Sequence, residues 1–280
     1  MTEQEAAASA HTAHLAGATK ESGASIARVY NAVVGGKDHR ASERDLLDSL
    51  VEILPQLTAA ARANVDFIHR AVAAVAELGV DQFLDLGCGM PSPTGDTVLQ
   101  TARRFHPHAR VVYVDNDEQV AVHGRALLAV PDQAIMVETD ARDTDEVLKQ
   151  AAELLDFSKP VGIIAAALAH FWPETVEPAQ VLGRYTAVFP AGFVIFSHAC
   201  GDRLSATALQ KAIAAYQQAA PIYPRSAEQI AEFLTGYDVL EPGLVEASWW
   251  RPPADSGEDV GNAQFLAAVA AFGPYNEIPR

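Results

Sequence analysis

The residues best placed to do chemistry sit where apolar runs end. Asp85 lies in the short run Phe83-Leu84-Asp85-Leu86, which passes directly into the turn Gly87-Cys88-Gly89. Glycines in such a turn let the backbone bend sharply and approach a ligand that a Cβ would hold off. Two further apolar runs lead to acids, Val111-Val112-Tyr113-Val114-Asp115 and Ile135-Met136-Val137-Glu138-Thr139-Asp140. An acid after the second strand of a parallel sheet can accept from both hydroxyls of a ribose. An acid just past the third can accept from an exocyclic amine. The alternative is that Asp115 and Asp140 are helix N-caps, but Asp117 and Asp143 are better placed for capping. Asn116 and Ala141, adjoining these acids, belong to the same candidate set. His170 and His198 close the fourth and fifth apolar runs. Each could take a proton near neutral pH, or be a rim histidine bonded for structure alone.

Other chemistries find less support. A nicotinamide dinucleotide favours Gly-x-Gly-x-x-Gly, with a helix N-terminus facing the pyrophosphate. Here Gly87 and Gly89 are followed by Met90-Pro91-Ser92-Pro93-Thr94-Gly95, so the third glycine is out of place. No lysine has a tyrosine four residues before it, as a short-chain reductase needs, and the sole Gly-Lys pair, Gly36-Lys37, is followed by Asp38 instead of Ser or Thr. The nine histidines show no ligand spacing on a shared helix face, so no metal site is expected. A formal charge of −16 and the lack of a Lys/Arg cluster argue against nucleic acid or an anionic membrane as partner. Two cysteines, Cys88 and Cys200, make no disulfide framework and fit a reducing compartment. The first twenty residues lack the basic and apolar regions of a secretory signal, and no apolar run is long enough to span a bilayer. A cytoplasmic protein acting on a small molecule is the expectation, with oligomeric state left open, a homodimer included.

The pattern along the chain predicts the elements that hold these residues. Residues 1–21 read as a flexible tail. Helices are expected from Ser22 to Val34, through Leu46, Leu47, Leu50 and Ile53, and on to Leu78, with Val65, Ile68, Val72 and Val75 on an inner face. Ser42 with Asp45 resembles a capping box. From residue 79 the pattern changes to strands, at 82–86, 110–115, 134–139, 160–167 and 191–198, separated by helical segments. That alternation means a parallel sheet with right-handed crossovers. Helices at 205–218 and 226–235 follow, then extended stretches at 243–250 and 264–272. The last could equally be a helix.

At these residues the chain resembles a known family. Asp85-Leu-Gly-Cys-Gly-Met-Pro91, Tyr113-Val-Asp-Asn-Asp117 and Ser25-Ile-Ala-Arg-Val-Tyr-Asn-Ala-Val-Val-Gly-Gly-Lys-Asp38 are similar to the actinobacterial S-adenosylmethionine-dependent methyltransferases once catalogued as a domain of unknown function. Ala61-Arg-Ala-Asn64, Leu168-Ala-His-Phe171 and Phe196-Ser-His-Ala199 fit the same pattern. The resemblance implies a Rossmann-like class I methyltransferase fold: an α/β architecture with a seven-stranded, mostly parallel sheet whose last strand is antiparallel. It implies S-adenosylmethionine as cofactor and leaves the acceptor unnamed. Residues 22–78 precede such a core, and are expected to form a helical lid over the methionine end of the cofactor. Arg62 or Lys37 would bind its carboxylate beside Gly36, and the Tyr30 ring would wall the site and attract the sulfonium. The competing readings are that Arg62 pairs with an acid on a neighbouring helix, and that Asn64 is solvated. A cofactor-binding regulatory protein without transfer activity is the alternative function, and an NAD(P)-dependent oxidoreductase a more distant one.

Overall fold

The structure is a computed structural model that describes residues 24–91, 95–253 and 264–275. The expected tail and most of the loop from Arg251 to Asn262 lie outside the described residues. Three helices open the described chain: α1 (Ile26–Val33), α2 (Ala41–Ile53) and α3 (Leu57–Glu77). Strands and helices then alternate: β1 (Gln82–Leu86), α4 (Val98–Arg103), β2 (Arg110–Asp115), α5 (Glu118–Leu127), β3 (Ala134–Glu138), α6 (Thr144–Ala151), β4 (Val161–Ala166), α7 (Pro178–Thr186) and β5 (Gly192–Cys200). Helices α8 (Ala206–Tyr216) and α9 (Ala227–Glu232) follow, then the two-residue strands β6 (Asp238–Val239) and β7 (Val245–Glu246), and finally β8 (Gln264–Phe272).

The sheet order is β3-β2-β1-β4-β5-β8-β6, with β7 pairing β8 off this path. The first five strands are parallel and β8 runs antiparallel to β5 over its whole length. The sheet therefore has eight strands where seven are expected, because Asp238–Val239 adds a short edge strand on β8; the 243–250 stretch contributes only Val245–Glu246 before a short 3-10 turn at Ala247–Trp249. Residues 264–272 form a strand and not a helix. Hydrogen bonding to β5 overrides the weak strand propensity of their alanines. Chain order reverses between β1 and β4, both neighbours in the sheet, so the crevice for a ligand opens at their carboxyl ends.

Alternation along the strands sorts two cores. Leu84, Leu86, Val194 and Phe196 face the layer of α6, α7 and α9. Phe83, Tyr113, Phe193 and Ile195 face α3. Helix α3 lies on this second face because Phe67, Ala71 and Val75 recur every fourth residue, with Val72 beside them, and all four are fully buried. Each large side chain so buried contributes about 1.5–3 kcal/mol. One apolar cluster runs from Val29 and Leu46 through α3 into β8, so packing does not break at residue 78.

Two helix starts differ in detail from expectation. Helix α1 begins at Ile26, capped by Ser25, whose hydroxyl accepts from the Arg28 N–H. Helix α2 begins at Ala41, and Glu43, not Asp45, reaches back to accept from the Arg40 N–H at 2.8 Å. Glu43 also accepts from the Ser25 N–H at 3.1 Å and the Arg28 guanidinium at 3.0 Å, which knits α1 to α2. The expected caps Asp117 and Asp143 accept from the backbone of α5 and α6.

Candidate active site

Strand β1 delivers Asp85 to the face that α3 covers, and the turn behind it is built by two glycines in the left-handed region. Gly87 has φ +68° and Gly89 φ +65°. They are glycines for different reasons. A Cβ on Gly87 would meet the Leu168 side chain at 2.7 Å, whereas one on Gly89 would meet nothing within 4 Å among the described residues. Gly89 thus borders space that the described residues leave open at the crevice. Its N–H donates to Oδ2 of Asp115 at 2.9 Å, and the Asp117 N–H donates to Oδ1 at 3.0 Å. Each Asp115 oxygen accepts one backbone bond and keeps a lone pair for a ligand. Burial holds the Asp115 carboxyl above its usual range, outweighing the N–H groups of Asp117 and Gly89. Burial, and then the charge of Asp115, pushes Asp85 up to about 7. The Asp85 carboxylate has no hydrogen-bond partner among the described residues, although it is 92 % buried by accessible area, being 8 % exposed.

Asp140 is arranged differently. Its Oδ1 accepts from the N–H and Nε of Arg142 at 2.8 and 2.9 Å, and its Oδ2 from Nη2 at 2.5 Å. Burial would raise its pKa, but the Arg142 bonds outweigh burial and hold it low. Asn116 reaches the same carboxylate at 3.5 Å. Ala141 is buried beside it, and its carbonyl accepts from the Tyr185 hydroxyl at 2.7 Å.

The opening helices meet the strand ends through polar contacts. The Ser25 hydroxyl donates to Oδ2 of Asp117 at 2.5 Å, tying the start of α1 to the residue that caps α5. Tyr30 donates to the Ala61 carbonyl at 3.1 Å and accepts from Nδ2 of Asn64 at 3.0 Å. Asn64 in turn accepts from Ser197 in β5. Burial, opposed by the Asn64 bond, pushes the Tyr30 phenol up to about 12. Gly36 is buried against the Asn31 side chain, where a Cβ has no room, and Asn31 Oδ1 accepts from the Asp38 N–H at 3.1 Å. The Nδ2 of Asn31 is buried without a partner among the described residues. Arg62 lies against Gly35, with Nη2 3.7 Å from where a Cβ there would be. Arg62 and Lys37 are exposed and neither has an ion-pair partner among the described residues.

The two histidines separate. His198 shares a strand face with Val194 and Phe196, away from α3, and is fully buried. Its Nδ1 lies 2.8 Å from the Ala199 carbonyl and its Nε2 3.1 Å from the Arg225 guanidinium. The carbonyl requires a proton on Nδ1 and the arginine a lone pair on Nε2, so the network assigns a neutral ring with both nitrogens engaged. Burial, with Arg225 adding to it, pushes His198 down to about 4. The expectation that His198 is a base at the rim is therefore corrected: its strand phase turns it to the other layer. His170, in the 3-10 turn Ala169–Phe171 after β4, does line a cleft at the ends of β4 and β5. Its Nδ1 accepts from the Ala199 N–H at 3.2 Å, which assigns its proton to Nε2. Burial, then His198 and Arg225, hold it well below its ordinary value. As arranged it presents a donor at Nε2 to the cleft.

Several residues here escaped sequence reasoning. Arg142 and Arg225 carry no local pattern of their own, and Ser197 is visible only as part of the run Phe196 to Ala199, with nothing local to show that it bonds a helix. Asn31, five residues before Gly36, is a polar residue of the kind to look for where a Gly-Gly turn follows a helix. Among the described residues no group of histidines, cysteines and acids could hold a metal, and no helix is long and apolar enough to cross a membrane. Both cysteines are free thiols.

A family model described as S-adenosyl methyltransferase matches residues 13–273. Among solved structures, a Streptomyces avermitilis protein of the DUF574 family is 30% identical, covers 89% of this chain and 97% of its own, and superposes with a TM-score of 0.83. A Thermobifida fusca protein described as a candidate methyltransferase is also 30% identical, with 91% and 97% covered and a TM-score of 0.82. No curated protein matches the sequence.

Proposed function

Since the chain belongs to the S-adenosyl methyltransferase family and is an S-adenosylmethionine-dependent methyltransferase, we propose that it methylates a small-molecule acceptor, with the cofactor held in the crevice between Asp85 and Asp115. The observation that carries this placement is the buried Asp85 carboxyl, without a hydrogen-bond partner among the described residues and pushed up to about 7 by burial and by Asp115, close to the space that the described residues leave open at Gly89. Such a site lacks a cation, and S-adenosylmethionine brings an ammonium and a sulfonium. The residues present fit that group.

In this reading Asp115 accepts from the ribose hydroxyls through its remaining lone pairs. Asn116, Asp140 and the Ala141 backbone border the adenine, with Asp140 held in place by Arg142. Gly87 and Gly89 let the backbone approach. Helices α1 to α3 act as a lid, with Tyr30 walling the site, Gly36 shaping the turn that carries Lys37, and either Lys37 or Arg62, which projects from α3 beside Gly35, reaching the ligand carboxylate. When bound, the cofactor supplies an already activated methyl group, taken by an acceptor lone pair while the carbon–sulfur pair stays with sulfur. The chain's own task is to align the acceptor and exclude water. The net charge of −16 supports a small molecule over nucleic acid or an anionic membrane as partner, and the free thiols support a reducing, cytoplasmic setting.

Titration calorimetry with S-adenosylmethionine, S-adenosylhomocysteine, NAD and NADP tests the placement. The first two should bind and the dinucleotides should not. Binding that is unaltered when both Asp85 and Asp115 are replaced would put the cofactor elsewhere.

A further inference from the structure

Beside the proposed cofactor crevice lies a second, mainly apolar cleft, between the ends of β4 and β5, α8, and the start of α3. Leu57, Leu209, Ile213, Tyr216 and Phe265 form much of its wall, and among the described residues no Asp, Glu, Lys or Arg lines it. It adjoins the crevice on two sides. Leu168 packs on Gly87, and His170 two residues later lines the cleft. Tyr216 on its wall is close enough to Tyr30 for the two phenols to interact electrostatically.

The groups in the cleft that can titrate are His170, Cys200 and Tyr216. Burial keeps all three in their neutral forms: His170 is held well below its usual value, and the thiol and the phenol are held up. The charged group nearest His170 is Arg225, buried behind it, whose Nη1 donates to the Ala169 carbonyl at 3.3 Å and to His198 at 3.1 Å. The cleft is thus neutral, and an ion entering it would lose hydration without gaining a counter-charge. It also holds one fixed donor. Nδ1 of His170 accepts from Ala199, so Nε2 carries the proton, and Nε2 has no partner among the described residues.

We propose that the acceptor is an uncharged, largely apolar molecule seated in this cleft, that it offers a hydrogen-bond-accepting atom to Nε2–H of His170, and that its reacting atom is a nitrogen whose lone pair is free at neutral pH. His170 then determines specificity and orientation and takes no proton. A hydroxyl acceptor would need a base that the cleft does not contain. The proposal rests on the methyltransferase reading above.

The test measures binding, not turnover, on protein saturated with S-adenosylhomocysteine. Three rings of one shape serve as probes: a naphthyridine with one nitrogen in each ring, naphthalene, and naphthoate. The naphthyridine should bind at least about ten-fold more tightly than naphthoate, the neutral site rejecting the anion. His170→Phe should weaken the naphthyridine about 3–10-fold, the worth of one hydrogen bond, and leave naphthalene unchanged. Ala212→Phe, which fills the cleft from α8, should abolish binding of both rings with S-adenosylhomocysteine affinity intact, and it serves if His170→Phe does not fold. Failure to bind S-adenosylhomocysteine would sink the methyltransferase reading and this proposal with it. Normal S-adenosylhomocysteine binding, with naphthoate equal to or better than the naphthyridine, or with no naphthyridine binding, would overturn this proposal alone. A naphthyridine affinity indifferent to both substitutions would place the ring elsewhere and overturn it equally.

Discussion

The hydroxyl of Ser197 donates to Oδ1 of Asn64 at 2.6 Å, and through this bond the fifth strand holds the third helix. Ser197 also accepts from the Ala167 N–H at 2.9 Å, and Ala167 carries the left-handed φ of +52° that turns the chain out of β4 toward His170. Asn64 passes the contact on to Tyr30 in α1. Ser197 and Asn64 are both buried, so neither can exchange its partner for water. Ser197→Ala should cost about 1–3 kcal/mol, the penalty of a stranded buried acceptor. Ser197→Ala and Asn64→Leu together should cost less than the sum of the singles, since residues in contact couple by about 0.5–3 kcal/mol. Urea unfolding of the singles and the double checks this, and strict additivity would mean the bond does not form.

Asp115 should dominate cofactor affinity. Asp115→Ala leaves two ribose hydroxyls without their acceptor, and the expected loss is about 2–4 kcal/mol. Asp140→Ala should lose less, because Arg142 already occupies both of its oxygens. Calorimetry on both variants, with the fold checked by circular dichroism, decides the order; a larger loss at Asp140 would reverse the assignment.

Asp85 should trade stability for binding. Its folded pKa of about 7 lies above that of an unfolded aspartate, so the unfolded chain gives up the proton first as pH rises. Its contribution to stability is therefore lost between about pH 4 and pH 7. Asp85→Asn should stabilise the ligand-free protein at pH 8 by about 2–4 kcal/mol, flatten that slope, and weaken S-adenosylmethionine binding. Thermal melts at several pH values with and without ligand measure both effects. A variant that is no more stable at pH 8 than at pH 5, relative to the parent, would contradict the shift.

Glu43 acts with the opposite sign. Burial alone would raise it, but the N–H groups of Ser25 and Arg40 and the Arg28 guanidinium bring it down to about 2. The stability it contributes is present above the unfolded value near pH 4.5 and is lost as pH falls toward about 2; it amounts to about 1–3 kcal/mol. Glu43→Gln should shift acid unfolding to higher pH and loosen α1 from α2. An acid transition identical to the parent's would show that Glu43 is not coupled to folding.

The lid should tighten with ligand. Amide exchange across residues 30–40 and 60–66 should slow when S-adenosylhomocysteine binds, while the far edge at β6 stays unchanged. Equal protection with and without ligand would leave α1 to α3 as scaffold only.

Much of this protein is local, and local features are legible in the sequence. The run of apolar residues into Gly87-Cys88-Gly89, the alternation of strands with helices, and the caps Asp117 and Asp143 each follow from residues within a few positions of one another. Periodicity also carries the phase of β5: Phe193, Ile195 and Ser197 on one face, Val194, Phe196 and His198 on the other. It does not say which face α3 covers. That depends on packing Phe67, Ala71 and Val75 against strands more than a hundred residues away, and it alone decides that Ser197 meets the helices while His198 is sealed behind the sheet. The same holds for the proton on His170, set by the Ala199 N–H from a neighbouring strand, and for Asp140, claimed by Arg142 because the chain turns at that point. Which residue types gather at the strand ends is a one-dimensional property. Which of their atoms remain free for a ligand is settled only when distant segments have taken their hydrogen bonds, since a buried polar atom must find its partner wherever the fold supplies one.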